Sequence, residues 1–164
     1  MYIFEVLYKE HENIHAFTDK LEQMAINFME KNEISFEAYE EAINFIKTYA
    51  DKCHHQKEEQ VLFKAMLENL GEMANNLINH GMIVEHNLAR LYVWELEEAL
   101  KAYKQAPTTV LKLKILTTTM SYVYLLRRHI HKENNAVYPY AKKNLPKDLI
   151  EKLDLEAKKY DGVL

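Results

Sequence analysis

The stretch HHQKEEQVLF, residues 54–63, has a counterpart in the second half of the chain, HIHKENNAVYP at residues 129–139. Each stretch contains a histidine that is followed four residues later by a glutamate. The two pairs are His54 with Glu58 and His129 with Glu133. Side chains at positions i and i+4 share one face of an α-helix. The sequence therefore predicts two helices that each present one imidazole and one carboxylate in the same direction.

The internal repeat also includes a histidine that precedes each of these stretches. The displacement that brings His54 onto His129 also brings Glu10 and His11 onto Glu85 and His86. Two aromatic positions coincide in the same way, Tyr49 with Tyr124 and Phe63 with Tyr138. The other four of the eight histidines have no histidine counterpart: His15, His55, His80 and His131. Each half of the chain therefore predicts a pair of helices, with one histidine on the first helix and His-x-x-x-Glu on the second.

The composition and the apolar spacing predict that the whole chain is helical. Its 164 residues include only three glycines and three prolines, which argues against a sandwich or barrel of many strands. Apolar residues at helical spacing predict helices over residues 2–30, 36–70, 72–105, with Gly81 as a candidate kink, 109–144 and 147–160. We therefore expect one all-α domain over residues 1–164: an antiparallel up-down-up-down four-helix bundle over about 2–144 and a short C-terminal helix over about 147–160.

The positions of the turns place four histidines at one level of this bundle. Ser35, Gly71 and Pro107 mark helix ends, and Thr108 or Thr109 can cap the fourth helix. These residues put the turns near residues 32, 71 and 107. In an antiparallel pair of helices, two residues lie level when they are equidistant from the turn. The midpoints between successive members of the set His11, His54, His86 and His129 fall at residues 32–33, 70 and 107–108. We therefore expect one imidazole from each helix in a single layer.

Four imidazoles and two carboxylates in one layer indicate a metal site. A single His-x-x-x-Glu pair is more often a surface contact between neighbouring helical turns. The complete set is different, because burying it without a cation would cost much free energy. Six ligands are too many for one tetrahedral zinc ion, whereas two ions could each take two histidines and share both glutamates. The candidate ligands are His11, His54, Glu58, His86, His129 and Glu133.

Four motifs resemble those of a known family. They are KEHENI (residues 9–14), HHQKEEQVLF (54–63), VEHNLAR (84–90) and HIHKENNAVYP (129–139). In their order and in their coverage of the predicted bundle, they resemble the hemerythrin-like HHE cation-binding family. The resemblance implies a non-haem di-iron centre in a four-helix bundle, with two iron ions held by the six candidate ligands. Another divalent metal could occupy the same site in a given preparation, because affinity order alone does not select iron.

Two positions differ from the oxygen-carrying hemerythrins. Arg90 stands where those proteins have a second histidine on the third helix, and Asn134 stands where they have an aspartate. In this respect the chain resembles members associated with repair of iron centres or with responses to NO and O2. The resemblance implies a protein that binds or senses O2 or NO, or that takes part in handling iron and redox stress. The alternative is a di-iron enzyme that reduces peroxide or NO, or an iron donor for repair of iron–sulfur centres; the sequence does not decide between binding and catalysis.

The net charge, the apolar runs and the single cysteine limit the kinds of partner and the cellular location that we expect. Lysine and arginine total 21 against 25 acidic residues, and this net charge of −4 disfavours nucleic acid. No apolar run is long enough to span a membrane. The single cysteine, Cys53, and an N-terminus without the pattern of a signal peptide favour the cytoplasm. A bundle core leaves room for a small diatomic ligand or peroxide, and the sequence does not indicate a protein partner or an oligomeric state.

Several side chains near the candidate ligands have less defined roles. His15 lies one helical turn from a candidate ligand, and the sequence leaves open whether it is an additional one. His55 and His131 flank the candidate ligands and point elsewhere on a regular helix, so we expect them at the surface or behind the ligands. We expect Tyr49 and Tyr124 in core packing, with a position beside the site as the alternative. A ferritin-like oxidase is excluded, because it uses Glu-x-x-His and more carboxylate than imidazole.

Overall fold

The computed structural model describes residues 1–164, and every regular element in it is a helix. The α-helices are α1 (Tyr2–Lys31), α2 (Phe36–Phe45), α3 (Lys64–Asn69), α4 (Gly71–Leu77), α5 (Ile83–Gln105), α6 (Thr109–Lys132), α7 (Tyr138–Asn144) and α8 (Lys147–Tyr160). Four π-helical segments lie between them, Ile46–His55, Glu58–Phe63, Ile78–Met82 and Glu133–Val137. The elements form four long helical stretches, 2–31, 36–69, 71–105 and 109–144, followed by α8. The prediction of an all-helical chain is confirmed.

The residues proposed as helix ends act as such in the structure. The hydroxyls of Ser35 and Thr108 each accept a hydrogen bond at 3.2 Å from the backbone N–H three residues later, which caps α2 and α6. Asn32 follows α1 with a φ of +55°, a left-handed conformation that asparagine tolerates. Gly71 has a φ of +65°, which favours glycine and turns the chain between the second and third stretches.

π-Helical turns interrupt three of the four long stretches. The N–H of Gln56 donates to the carbonyl of Asp51, five residues earlier, where an α-helix would use the carbonyl four residues earlier. Gly81 lies in the π-helical segment Ile78–Met82, and the helix continues through it into α5 without a break. The segments also contain three of the candidate ligands, His54, Glu58 and Glu133. π-Helical turns are frequent at functional sites, because they change the direction in which successive side chains point.

The polar layer separates two apolar clusters. One cluster includes Ile14, Ala50, Ala89 and Ile130, and the other includes Leu7, Val61, Met82 and Val137. In each long stretch, the candidate ligands lie between a member of one cluster and a member of the other. Along the bundle α6 packs against both α1 and α5. The layer is therefore closed off from water on both sides, and polar groups in it must find partners within the protein.

The C-terminal helix is attached to the end of the bundle beside α1. The Asp154 carboxylate accepts from the backbone N–H of Ile3 at 2.9 Å, and Asp161 accepts from the Tyr2 hydroxyl at 2.8 Å. The Tyr160 hydroxyl donates to the carbonyl of Lys52 at 2.6 Å. These contacts fix α8 against two of the long stretches. None of the helices combines the length and the apolar character needed to cross a membrane.

Candidate metal centre

The structure brings the six candidate ligands into two overlapping groups. One group is His11, His54, Glu58 and Glu133, and the other is His86, His129, Glu58 and Glu133. Within each group the potential ligand atoms all lie within 4.8 Å of one another. Every one of the six side chains is buried, with at most 2% of its surface exposed. The arrangement is thus two pairs of imidazoles with the same two carboxylates between them.

Each carboxylate faces one imidazole from each pair. Glu133 Oε2 lies 3.1 Å from the Nε2 atoms of both His11 and His129. Glu58 Oε2 lies 3.5 Å from the Nε2 atoms of both His54 and His86. This placement is what two carboxylates bridging a pair of ions would require.

The outer nitrogen of each imidazole is held by a neighbouring helical stretch. The Nδ1 atoms lie 2.7–2.9 Å from side-chain oxygens, in the pairs His54 with Glu10, His86 with Glu59, His129 with Glu85 and His11 with Asn134. An Nδ1–H that donates to such an acceptor fixes the neutral tautomer in which Nε2 carries the lone pair. All four Nε2 lone pairs are then directed at the centre of the layer.

Three of these acceptors are in turn paired with a cation. Lys57 lies 2.5 Å from Glu10, Arg90 lies 2.8 Å from Glu59, and Lys132 contacts Glu85. Lys57 corresponds to Lys132 in the internal repeat, as Glu10 does to Glu85, so the cation–carboxylate–imidazole arrangement follows the repeat. The fourth acceptor, Asn134, is a neutral amide at the repeat position of Glu59. His11 is therefore the one imidazole of the four whose Nδ1 faces an amide oxygen and not a carboxylate.

Several polar atoms in the layer have no hydrogen-bond partner, and this tests whether the residues fit metal ions. Nε2 of His54, Oε2 of Glu58 and both carboxylate oxygens of Glu133 are buried and unpaired. In the tautomers described above, imidazole nitrogens and carboxylate oxygens face one another with lone pairs, which is favourable only when a cation lies between them. Imidazole and carboxylate together suit divalent ions such as iron and zinc. The donor set therefore fits a pair of such ions.

The pKa values of the groups in the layer are those expected of a site that binds a cation. Burial and the nearby charge of Glu133 hold the pKa of the Glu58 carboxyl well above its ordinary value. Burial alone would lower the pKa of His129, but the charges and hydrogen bonds of Glu133 and Glu85 raise it to about 9. Without a metal ion, protons would supply the charge that balances the carboxylates. A bound metal ion would displace them.

Tyr138 is a member of the site that the sequence did not identify. Its hydroxyl donates to Glu58 Oε1 at 2.5 Å and lies 3.2 Å from Nε2 of His11. Its ring stacks on His11 with 5.3 Å between the centroids, as the ring of Phe63 stacks on His86 at 5.8 Å. Phe63 and Tyr138 correspond in the internal repeat, and only Tyr138 has a hydroxyl. This difference was the one signal in the sequence that could have identified Tyr138 as part of the site.

Of the two positions expected for His55, at the surface or behind the ligands, the surface is wrong. The side chain is only 3% exposed, and its ring stacks on that of His86 with 3.9 Å between the centroids. With His86 and His129 it forms a third group of potential ligand atoms within 4.8 Å of one another. The reason is the π-helical segment Ile46–His55, whose wider turn allows two successive side chains to face the core. Burial lowers the pKa of His55 to about 3, so its imidazole is neutral.

The other side chains that the sequence left open lie outside the layer. His15 and His131 are exposed, and neither belongs to a group of potential metal ligands. Tyr49 packs against Phe45 at the edge of the core, and Tyr124 is 49% exposed. The structure therefore gives no support to His15 as an additional ligand or to the two tyrosines as residues beside the site.

Comparison with known families agrees with the geometry of the layer. The family model described as the hemerythrin HHE cation-binding domain matches residues 2–141. No curated protein matches the chain. The matched region contains all six candidate ligands and the residues that hold their outer nitrogens. By the extent of this match, the chain belongs to the hemerythrin family of HHE cation-binding domains.

Proposed function

We propose that this protein is a non-haem di-iron protein that binds or senses O2 or NO, or takes part in handling iron and redox stress. One observation supports this above all others. Two buried pairs of histidines face the same two carboxylates, and Nε2 of His54, Oε2 of Glu58 and both carboxylate oxygens of Glu133 have no hydrogen-bond partner. Such an arrangement is stable when two cations occupy it and costly when none does.

The geometry supports a specific assignment of the ligands. His11 and His54 would hold one ion, and His86 and His129 would hold the other. Glu58 and Glu133 would be shared by the two ions, because Oε2 of each carboxylate faces one imidazole of each pair. Iron bound there would supply one-electron redox chemistry and coordination positions that protein ligands do not fill.

The protein's own residues determine what can approach this centre. The two apolar clusters on either side exclude water and bulky molecules. A cleft of about 420 Å³ reaches His11 and Asn134 from the surface between α1 and α6. The hydroxyl of Tyr138, which donates to Glu58, lies 3.2 Å from Nε2 of His11. These features suit a small ligand such as O2, NO or peroxide.

The walls of the same cleft favour a second candidate function, the donation of iron for repair of iron–sulfur centres. The exposed side chains of Glu12, His15 and Asp19 line this cleft together with the buried side chain of His11. Carboxylates and an imidazole along a path to a candidate ligand would attract a divalent cation and transfer it between the surface and the centre. An enzyme that reduces peroxide or NO would use the same small-ligand access.

The decisive experiment is anaerobic loading of the metal-free protein with ferrous iron, followed by metal analysis and optical spectra before and after O2, NO and peroxide. We expect about two iron ions per chain. We also expect the ferrous protein to oxidise in air without a persistent, reversible oxygenation spectrum, because Arg90 stands where oxygen carriers have a second histidine on the third helix. Repeated reversible cycling between oxygenated and deoxygenated spectra would instead indicate an oxygen carrier. Transfer of iron to an apo iron–sulfur protein would favour the donor function.

We also propose that the long stretches form an antiparallel up-down-up-down bundle within one domain over residues 1–164. The connections between stretches are short, at residues 32–35, 70 and 106–108, which favours antiparallel neighbours. The contacts of α6 with α1 and α5 agree with this order around the bundle.

A further inference from the structure

His55 is a buried imidazole that the six proposed ligands leave without a role. Both of its ring nitrogens are buried and have no hydrogen-bond partner. Its ring lies parallel to that of His86 within 14° and meets the ring of His129 edge-on at 5.7 Å. A buried polar group without a partner costs free energy, so an imidazole held in this way requires something that binds its nitrogen lone pair.

The surroundings of His55 repeat those of the proposed ligands. Its Nδ1 faces Asp51 Oδ1 at 3.6 Å, close enough that a small rotation of the ring would make a hydrogen bond. Arg90 donates to Asp51 at 2.8 Å, and it also donates to Glu59, the acceptor behind His86, at 2.8 Å. Arg90 therefore fixes two carboxylates, one behind each of two stacked imidazoles. The order cation, carboxylate, imidazole is the same as behind His54, His86 and His129.

We propose that His55 is a fifth imidazole ligand of the centre and binds through Nε2 to the ion held by His86 and His129. The proposal rests on the proposed di-iron function. His55 shares a group with His86 and His129 but not with the two carboxylates, so it approaches the pair from a different side. Iron often takes six ligands. The four side chains already assigned to this ion, those of His86, His129, Glu58 and Glu133, leave a coordination position open on the side of His55.

A fifth imidazole makes the two metal positions unequal. The ion at His86 and His129 would have three imidazoles, and carboxylates would stand behind each of them. The ion at His11 and His54 would have two, of which His11 has only the Asn134 amide behind it. The three-imidazole position should therefore bind metal more tightly and fill first. The other position keeps more open coordination sites, and it lies beside Tyr138 and the cleft that reaches His11.

The direct test is a crystal structure of the wild-type protein loaded with zinc or ferrous iron. We expect a nitrogen of His55 at about 2.1 Å from one of two ions. The second test is a zinc titration of the metal-free protein in competition with a chromophoric chelator. The wild type should show two unequal affinities. The variant His55→Gln should still bind two ions, with the tighter affinity reduced at least about ten-fold.

Matched variants and the crystal structure together make the outcome unambiguous. His80→Gln and His131→Gln, which change exposed histidines, should leave both affinities unchanged. The proposal is overturned if the loaded crystal shows His55 bonded to neither ion, a result that does not depend on the folding of any variant. It is also overturned if His55→Gln folds and binds both ions as tightly as the wild type. If the wild type binds no pair of ions at all, the proposed di-iron function itself fails.

Discussion

At the scale of single residues, each of the four candidate ligand imidazoles has its two nitrogens in different surroundings. Nε2 faces the layer, while Nδ1 is held by an acceptor on another helical stretch. The acceptor stands next to a candidate ligand in the sequence: Glu10 precedes His11 but holds His54, and Glu85 precedes His86 but holds His129. Each stretch therefore supplies a ligand and also orients the ligand of a neighbour, so the orientation of every ring depends on the packing of two helices.

Replacing the acceptor behind a ligand should weaken metal binding without removing a ligand. We expect Glu85→Gln to lower the affinity for zinc about 10–100-fold, because the neutral amide makes the His129 imidazole a weaker donor. Zinc titration against a chelator measures the change. Glu98→Gln, which alters an exposed carboxylate on the same α5, is the control and should have no effect. Equal affinities for the two variants would contradict the role assigned to Glu85.

Removing the hydroxyl of Tyr138 should alter Glu58 and leave the fold intact. Phenylalanine already occupies the corresponding position 63, so Tyr138→Phe should fold and bind two ions. The hydrogen bond from Tyr138 acts to lower the pKa of Glu58, against burial and the charge of Glu133, which raise it. Its loss should therefore shift the pH dependence of zinc binding to higher pH. Zinc affinity measured across a pH series tests this, with Tyr49→Phe as the control; an unshifted curve would refute it.

At the scale of elements, the cations behind the centre connect the helices unequally. Lys57 is fully buried and lies 2.5 Å from both Glu10 of α1 and Asp161, which follows α8. Its repeat counterpart Lys132 is half exposed and contacts Glu85 alone. The C-terminal helix is thus joined through two ion pairs to the acceptor that holds His54. It contributes to the metal layer although no candidate ligand lies on it.

This difference predicts unequal effects of the same substitution on stability. Lys57→Met should reduce the free energy of unfolding by about 3 kcal/mol, because it leaves the buried carboxylate of Glu10 and the partly buried carboxylate of Asp161 without a cation. Lys132→Met should reduce it by about 1 kcal/mol or less, since an exposed ion pair contributes little. Urea unfolding of the two metal-free variants measures both values. If Lys132→Met reduces the free energy of unfolding at least as much as Lys57→Met, the ion pairs that join α8 to Glu10 do not stabilise the fold as we infer.

At the scale of the whole molecule, the layer of ionisable groups divides the core in two. Apolar clusters on both sides provide the burial that stabilises the fold, while the layer itself is costly without cations. Metal binding should therefore stabilise the folded chain strongly, because the unfolded chain has no preformed site. The metal-free protein should also have a distinctive pH dependence.

The stability of the metal-free protein should fall as the pH rises from about 7.5 to about 9. The pKa of His129 is raised from 6.5 to about 9, so across this range the folded state binds more protons than the unfolded state. His54 and His55 have folded-state pKa values below 6.5, so the unfolded state binds more of their protons, but this opposing contribution ends at about pH 7.5. Urea unfolding at several pH values tests the trend. His129→Gln should abolish the decline, and a wild-type stability that rises over this range would contradict it.

Metal affinity should change in the opposite direction with pH. His129, with a pKa of about 9, holds a proton in the metal-free layer at neutral pH, and burial and the charge of Glu133 raise the pKa of Glu58, so the binding of a divalent ion should release protons. We expect the affinity for zinc to increase with pH. Calorimetric titrations in buffers of different ionisation enthalpy count the protons released. Binding with no proton release would contradict the picture of protons balancing the two carboxylates.

The sequence by itself determined the features that depend on local spacing. Ser35, Thr108 and Gly71 ended or began helices because caps and left-handed turns are properties of a few neighbouring residues. The four histidines and two glutamates were found because the internal repeat and the i, i+4 spacing are visible in one dimension. Their convergence in one layer followed from turn positions, since helices rise by a constant distance per residue.

The tertiary structure alone decided which further side chains reach the centre. His55 was expected to point away, because a regular helix rotates successive side chains apart, but the π-helical segment Ile46–His55 turns it into the core. Tyr138, and the cations behind the imidazoles, act through contacts between residues far apart in the chain. Those contacts depend on how each helix is rotated about its own axis. That rotation is set by the packing of all the helices together, and no local pattern in the sequence specifies it.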